Sequence, residues 1–413
     1  MKNKIRKILN KLPFLYILIS KTRLYFGYLF SKKTPVSGHI KRLTPSDEFE
    51  HFFGYYDKNP WNINQTKILA LRAQCTWKEP APKEEAEIVL IDLATTNVKV
   101  LDKTATWNTQ QGCMLQWLGP EYKDRIIYNK LIDGHYKSVI MNVFTGDKKI
   151  ISAPIYAVSS DGTTAFTLDF SRLHRLRKGY GYYNIPDYYK NEKIPDDYCI
   201  WKIDLQNNII IPLISYKDLI NFEPKSSMLN AEHKVNHIMI NPSCNRIMFL
   251  HRWYESNEKH SRLITCSIDG TDWYNLSDEN MVSHCWWVDN SKIFAFEHKK
   301  EGDGYYLMKD KTNQYYKYWD ISEDGHPSFS HDGRYIVFDT YPDNSRRLRI
   351  RIAETDDIEG RTIRLLAVLK TGFRYQGATR CDLHPRWSWD DKMIAFDSVH
   401  EGKREMYCVY VHE

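Results

Sequence analysis

A short alternation of apolar and polar residues recurs along the chain, and its clearest copy runs from His326 to Phe338. Apolar positions on both sides of a polar turn centred on Asp332-Gly333 predict two tightly joined antiparallel strands. Three further clear copies begin at His237, His284 and His384. Weaker copies lie at residues 59–71, 118–128 and 159–166. The chain therefore contains seven repeats.

The spacing of these repeats predicts the fold. Successive histidines of the four clear copies are 47, 42 and 58 residues apart, which suits a four-stranded propeller blade. A single blade cannot bury both of its faces, so blades stack around an axis and share a core. We expect an all-β, seven-bladed β-propeller over residues 36–413, preceded by a short basic and apolar helical segment over residues 1–35. The last repeat is one strand short, so residues 39–43 are predicted to return and close the ring.

Composition fits one propeller and locates the charge. Hydrophobic residues make up 42% and charged residues 27% of the chain, which allows a large core. The formal charge of +6 is concentrated in residues 1–35, which hold nine Lys or Arg and no acidic residue. The other 49 basic and 52 acidic residues leave the body nearly neutral. Nucleic acid is not an expected partner, because the body lacks a basic stripe.

The N-terminal segment and the cysteines indicate location. The longest uncharged run, residues 12–20, is too short to cross a bilayer and is followed by no signal-peptide cleavage site. We expect residues 1–35 to contact an anionic membrane surface; the alternative is packing on the propeller or a partner. The eight cysteines show no paired spacing and are interpreted as buried thiols. The expected location is cytoplasmic, peripheral at the inner face of the membrane.

The repeated histidines are the first candidate chemistry. Because the inner strand of each blade lines the central channel, their common offset predicts four imidazoles facing one cavity: His237, His284, His326 and His384. Such a cluster suits a divalent transition metal or general-base catalysis. The alternative is a structural role, with each ring bonded to backbone across the channel. Three residues just upstream of the last histidine add an amide, a cation and a carboxylate: Gln376, Arg380 and Asp382.

Arginines beside aromatic residues are the second candidate chemistry. A long basic and aromatic insertion contains Arg172, Arg175, Arg177, Tyr180 and Tyr182, while Arg252 follows a later strand and Tyr55 lies in an aromatic stretch. Guanidinium groups pair with carboxylates and aromatic rings stack on sugars, so this combination favours an acidic sugar. The alternative is an ordinary solvated loop. The phosphate-loop, zinc-protease and serine-esterase motifs are absent from the sequence.

The motifs resemble a known family. The turns at residues 330–333 and 241–243, each before an apolar strand, resemble the TolB-like propeller repeat. The order His237, His284, His384 resembles the oligogalacturonate lyase family, seven-bladed propellers that cleave short uronic-acid chains by β-elimination. That resemblance implies a general base at His237 and manganese ligands at His284 and His384. Where the family has another histidine ligand this chain has Asp382, which joins the expected metal set.

Two further positions depart from the family pattern. Its glutamine ligand would fall near Thr379, three residues from Gln376, and its catalytic arginine has no counterpart at a matching position. On their chemistry, Arg252 and Arg175 are the two substitutes for that arginine, and Arg252 is assigned the catalytic role. Substrate contacts are expected from His326, Gln376, Arg172, Arg175, Tyr180, Tyr182 and Tyr55.

The expected function is action on acidic, uronate-containing oligosaccharides or polysaccharides, with metal-assisted β-elimination by a carbon–oxygen lyase as the specific reaction. Two alternatives stay open. One is a membrane-associated, non-lyase role in surface polysaccharide biosynthesis. The other is a non-catalytic propeller whose channel mouth binds glycan or protein.

Overall fold

The structure, a computed structural model, describes residues 13–30, 39–256, 258–279 and 281–412, and residues 13–20 by backbone alone. These residues form 28 strands in seven four-stranded antiparallel sheets. Each sheet is one blade, and its strands follow one another from the channel outward. The predicted seven-bladed β-propeller is confirmed.

The strands follow in chain order, beginning with β1 (Ile40–Arg42). Blade 1 contains β2 (Glu50–Phe52), β3 (Lys67–Ala73), β4 (Ala86–Asp92) and β5 (Val98–Thr104). Blade 2 contains β6 (Gln116–Trp117), β7 (Arg125–Ile132), β8 (His135–Asn142) and β9 (Lys148–Ile151). Blade 3 contains β10 (Ala157–Val158), β11 (Thr164–Thr167), β12 (Tyr198–Asp204) and β13 (Ile209–Ser215). Blade 4 contains β14 (Glu232–Ile240), β15 (Arg246–Glu255), β16 (Glu258–Ser267) and β17 (Tyr274–Ser277).

The last three blades carry three of the four repeated histidines. Blade 5 contains β18 (Val282–Trp287), β19 (Lys292–Lys299), β20 (Gly302–Lys309) and β21 (Tyr315–Tyr318). Blade 6 contains β22 (Ser328–Phe329), β23 (Tyr335–Asp339), β24 (Arg347–Glu354) and β25 (Arg364–Lys370). Blade 7 contains β26 (Arg386–Trp387), β27 (Met393–Ser398) and β28 (Glu405–Tyr410), with β1 as its outer strand. The described helices are α1 (Pro13–Phe30), α2 (Phe170–Leu176) and α3 (Tyr216–Asn221), with single 3₁₀ turns at Ser226–Met228 and Gly377–Thr379.

The hydrogen bonds of the polar turn explain why the copies of the repeat fold alike. In blade 6 the Ser330 hydroxyl donates to Asp332 at 2.7 Å, and the same carboxylate oxygen accepts from the backbone of Arg334 at 2.9 Å. Gly333 has φ of +72°, a conformation that glycine adopts at little cost. In blade 7, Ser388 and Asp390 form the same contact at 2.8 Å. These short polar residues satisfy the turn, so each inner strand reverses at the same place.

The ring closes as the short last repeat predicts. Strand β1 pairs antiparallel with β28, with Ile40 opposite Val409. The fully buried carboxylate of Glu405 lies 2.6 Å from Nη2 of Arg42 on β1 and 3.0 Å from Nδ1 of His51 on β2, the first strand of blade 1. One buried carboxylate therefore ties blade 7 to blade 1.

The long insertion between β11 and β12 is ordered and packs on blade 4. It contains α2, whose first turn is capped by the Asp169 carboxylate accepting from the backbone of Arg172 at 3.0 Å. The guanidinium of Arg172 donates to the carbonyls of His233, Glu192 and Lys193 at 2.7, 3.1 and 2.8 Å. These contacts fix the insertion over the channel end at which the histidine repeats begin.

Helix α1 packs against blade 6. The Tyr25 and Tyr28 rings lie 6.3 and 5.0 Å from Phe373, and Nζ of Lys370 donates to the Tyr28 carbonyl at 3.0 Å. Phe26 and Phe30 stay exposed. Most basic residues of the predicted membrane segment fall in residues 1–12 and 31–38, which lie outside the described residues. No described helix is both long enough and apolar enough to span a bilayer.

Candidate functional site

The four repeated histidines meet at the axis of the propeller, and each is at least 96% buried. The ring centres of His284 and His326 are 4.0 Å apart, those of His326 and His384 4.4 Å, and those of His237 and His284 5.8 Å. Tyr55 completes the cluster, with its ring 4.9 Å from His384 and 5.2 Å from His237. The repeated offset in sequence thus becomes a continuous cluster of rings.

Unusual backbone conformations place two of these rings. His237 has φ of +61° at a bulge in β14, and His384 has φ of +48° just before β26. Left-handed backbone at a non-glycine residue costs roughly 1–3 kcal/mol and clusters at functional sites. Asp339, at the end of β23, accepts from the backbone N–H groups of His326 and His384 at 2.7 and 3.0 Å. One carboxylate therefore holds both segments in register.

Hydrogen bonds orient His326 and His384 so that their other nitrogens face inward. His384 Nδ1 lies 2.8 Å from the Gly54 carbonyl and must donate to it, while His326 Nδ1 lies 2.9 Å from the Asp339 carboxylate. The Nε2 atoms of both rings are buried, and neither has a hydrogen-bond partner among the described residues. A donated Nδ1 proton that leaves Nε2 free is the usual arrangement of metal-binding histidines.

Asp382 completes a group of three potential ligands. Ligand atoms of His326, Asp382 and His384 all lie within 4.8 Å of one another. The Asp382 Oδ2 atom lies 2.8 Å from Nη2 of Arg380. Two imidazole nitrogens and one carboxylate suit a divalent transition metal with open coordination positions. These residues fit the group that the family resemblance implies, although this set contains His326 in place of His284.

His284 occupies the adjacent position. Its Nδ1 lies 3.0 Å from the Asp324 carboxylate, and its Nε2 lies 3.5 Å from the Tyr341 hydroxyl. Burial raises the pKa of Asp324 to about 6, although the Ser283 hydroxyl acts in the opposite direction. The structure thus gives His284 two nearby polar partners, whereas Nε2 of His326 has none among the described residues.

His237 has the opposite orientation from the other three rings. The Tyr56 hydroxyl donates to the Cys285 carbonyl at 2.8 Å, so its oxygen accepts from Nε2 of His237 at 2.9 Å. His237 therefore carries its proton on Nε2 and a lone pair on Nδ1, 3.5 Å from the Tyr55 hydroxyl. Burial and the charges of His284 and Arg252 hold the pKa of His237 well below its ordinary value. A neutral imidazole with a free nitrogen is the form a general base requires.

Two arginines converge on Tyr180, which comes from the insertion. The Arg177 guanidinium lies 4.3 Å from the Tyr180 ring centre, and Nη2 of Arg380 lies 3.5 Å from its hydroxyl. Burial raises the pKa of Tyr180, but Arg177 and Arg380 outweigh it and lower the value to about 8. Both cations also contribute to the lowered pKa of His284. Two guanidinium groups therefore lie at the channel end covered by the insertion, and one of them pairs with Asp382.

Other residues expected to touch substrate lie elsewhere. Arg172 is fully buried against backbone carbonyls, and Arg175 pairs with Asp187 at 2.7 Å and Glu232 at 2.7 Å. Tyr182 stacks on Phe170 at 4.4 Å. The exposed Gln376 contributes only its backbone carbonyl, to Thr379. The contacts of these four residues are structural, because they hold the insertion and the loop before Asp382.

Several site residues escape sequence reasoning: Tyr56, Lys234, Asp324, Asp339 and Tyr341. Tyr56 adjoins Tyr55 in the aromatic stretch, which is a usable signal. A bulge between Asn236 and Met239 interrupts the alternation of side chains between the two faces of β14. The sequence spacing of Lys234 and His237 therefore does not show whether they lie on the same face of the sheet. Asp324 and Asp339 bond to His284 and His384, which belong to other blades. These pairs are 40 and 45 residues apart in the chain, so no local pattern predicts them.

The fold is shared with solved propellers. An oligogalacturonate lyase in complex with manganese is 16% identical, with a TM-score of 0.67 over 93% of this chain and 96% of that chain. An oligogalacturonate lyase from Vibrio parahaemolyticus is 13% identical, with a TM-score of 0.62 over 91% and 94%. A TolB from Acinetobacter baumannii is 13% identical, with a TM-score of 0.40 over 80% and 66%. No protein-family model matches the sequence, and no curated protein matches it. At these identities the likeness to the two oligogalacturonate lyase structures shows a shared fold and nothing finer.

Proposed function

We propose that this propeller acts on acidic, uronate-containing glycans and cleaves them by metal-assisted β-elimination. The observation that carries the proposal is the pairing of two arrangements in one buried site. Free nitrogens of His326 and His384 converge with Asp382, and beside them His237 presents a neutral Nδ1. The first arrangement suits a divalent cation and the second a base.

His326, Asp382 and His384 would hold the metal, with manganese as the first candidate. When bound, the metal would supply positive charge that neutralises a substrate carboxylate. Arg177 of the insertion and Arg380, in the loop before Asp382, add guanidinium groups that pair with the same acid. Neutralising a uronate carboxylate acidifies the neighbouring C5 hydrogen, and this is the step that makes elimination accessible.

The protein's own residues then move the proton. His237 Nδ1 removes the C5 proton, and the C5–H electron pair becomes the C4=C5 double bond as the C4–O bond breaks. The leaving oxygen gains one proton and His237 gives up the one that it took, so no water or oxidant is consumed. Tyr56 keeps His237 in the reactive tautomer by accepting its Nε2 proton, and Tyr55 covers Nδ1 until substrate enters.

An ultraviolet assay for the unsaturated uronate tests this function. The full chain is incubated with a panel of uronate oligosaccharides, with manganese or with chelator. We expect manganese-dependent growth of absorbance that His237→Gln abolishes while retaining bound manganese. The matched control is His331→Gln, a surface histidine that pairs with Asp391 and should keep full turnover. Loss of bound manganese in His237→Gln would contradict the assigned role.

A membrane-associated role in making surface polysaccharide is the second candidate. It is supported by the outer face of α1, where Phe26, Leu29 and Phe30 are 52%, 53% and 78% exposed. Exposed aromatic and aliphatic residues beside nine cations in residues 1–35 suit an anionic lipid surface. This candidate requires an activated or lipid-linked sugar for activity, so product formation from free oligosaccharides would argue against it.

A further inference from the structure

One face of blade 4 carries a cluster of cations beside the histidine site. Lys234 on β14 lies directly opposite Arg252 on β15, and Tyr254 lies opposite Lys259 on β16. Residues opposite one another or two apart along a strand share a face of the sheet. Lys234, Arg252 and Lys259, here called the blade 4 cation cluster, therefore point the same way.

This face is turned toward blade 5 and the histidines. Nη2 of Arg252 donates to the carbonyl of Val282 at 3.0 Å, and the Ser261 hydroxyl donates to the same carbonyl at 3.3 Å. Val282 begins β18 and lies two residues before His284. Arg252 contributes to the lowered pKa of both His237 and His284. The cation cluster thus borders the candidate site on its blade 4 side.

Lys234 is the unusual member of the cluster. Its side chain is 99% buried, yet Nζ has no hydrogen-bond partner among the described residues. The centre of the Tyr254 ring lies 5.4 Å from Nζ. Burial, followed by the charges of Arg177, Arg252 and Lys259, holds the pKa of Lys234 well below its ordinary value. A buried amine surrounded by cations is costly unless an anion completes its environment.

The described residues do not supply that anion. None of the acidic side chains in the described ranges forms an ion pair with Lys234, Arg252, Lys259 or the neighbouring Arg177. Asp324 is the carboxylate that acts on Lys259, and its own oxygens already face Ser283 and His284 at 2.8 and 3.0 Å. Lys299, similarly buried, instead pairs with Glu279 at 3.1 Å and Glu297 at 3.5 Å. Lys234 therefore differs from an ordinary buried lysine of this fold.

We infer that Lys234, Arg252 and Lys259 form a second anion subsite, which binds a carboxylate of the ligand one sugar away from the residue held at the histidines. This inference rests on the proposed function, because it names the ligand as an oligosaccharide with at least two acidic groups. Lys234 supplies the buried donor, and Lys259, at the exposed edge, receives the ligand as it enters. A ligand with a single carboxylate fills only one of the two subsites.

Equilibrium binding to the full chain, with chelator present, tests the subsite without turnover. The probes are galacturonate, trigalacturonate, neutral maltotriose and inorganic sulfate, and the readouts are Tm and Kd. For wild type we expect trigalacturonate to bind about tenfold or more tightly than galacturonate, since one charged hydrogen bond contributes that much. Lys234→Met should lose this advantage while its ligand-free Tm stays at or above that of wild type. The control Lys299→Met should lower Tm and keep the advantage.

The outcomes separate the subsite from the proposed function. An unchanged trigalacturonate advantage in Lys234→Met overturns the subsite, whatever the activity. Protection by sulfate that needs Lys234, with no response to either uronate, supports an anion site and overturns the uronate ligand. Equal response to maltotriose and trigalacturonate overturns the charge argument. If His237→Gln loses turnover but still binds trigalacturonate, the binding supports the subsite independently of catalysis.

Discussion

Tyr56 should control both the stability of the site and the tautomer of its base. Tyr56→Phe keeps the ring, which packs 5.2 Å from His326 and 6.2 Å from Trp286, and removes only the hydroxyl. The Nε2–H group of His237 then has no acceptor, and the Cys285 carbonyl loses a donor. Because these groups are buried, we expect the free energy of unfolding to fall by about 2–3 kcal/mol.

The same change should release the His237 ring. One hydrogen bond at Nε2, worth about 1–1.5 kcal/mol, biases the tautomer by about tenfold. Without it, about half of the rings carry their proton on Nδ1, where it blocks the base nitrogen. We therefore expect kcat to fall about twofold from this cause, while the amount of bound manganese is unchanged. Nitrogen-15 spectra of histidine-labelled protein report the tautomer, with His237→Gln identifying the signal. Tyr316→Phe, an exposed tyrosine, is the control.

The result that would refute this reasoning is specific. If Tyr56→Phe keeps the proton on Nε2 of His237 and unfolds at the wild-type denaturant midpoint, the hydrogen-bond chain from His237 through Tyr56 to Cys285 does not set the tautomer. A fall in activity with an unchanged tautomer would also contradict it, because the effect would then come from packing.

Three further outcomes are expected. In elemental analysis, His326→Ala should abolish manganese binding, and His284→Ala should weaken it less. The reverse order would support the ligand set expected from the sequence, which contains His284 in place of His326. Liposomes with anionic lipid should co-sediment the full chain more than a chain without residues 1–35, and equal binding would exclude a membrane segment there. Burial lowers the pKa of His233 to about 4, so the unfolded state binds the extra proton and stability falls as pH drops below about 6.5. In urea titrations at several pH values, His233→Gln should make this slope shallower by about 1.4 kcal/mol per pH unit, and an unchanged slope would show that His233 does not cause it.

The sequence carries the architecture because its signals are local and repeated. The Ser-x-Asp turns near Ser330 and Ser388, and the alternating strands after them, specify each blade without reference to the others. The missing strand at the end of the chain also predicts the return of residues 39–43. The convergence of the four histidines follows from the same repetition, since equal offsets in a closed ring point to one axis.

The partners of these histidines depend on contacts between distant segments. Asp339 forms hydrogen bonds with both His326 and His384, and Tyr56 bonds to His237, 181 residues away in the chain. No local sequence pattern predicts these contacts. Arg172 and Arg175 suggest a ligand by composition, yet their charges are used to anchor the insertion. Left-handed backbone at His237 shifts the strand face, and this alters which neighbours share the site.

Product masses test the central claim most directly. A uronate trisaccharide of known mass is incubated with the full chain and manganese, and the products are weighed by mass spectrometry. Elimination predicts two fragments whose masses add up to the intact substrate, with the C4=C5 double bond at the new non-reducing end of the fragment from the reducing side of the broken bond. Fragments that add up to the substrate plus one water would show hydrolysis, and an intact substrate across the panel would contradict lyase action.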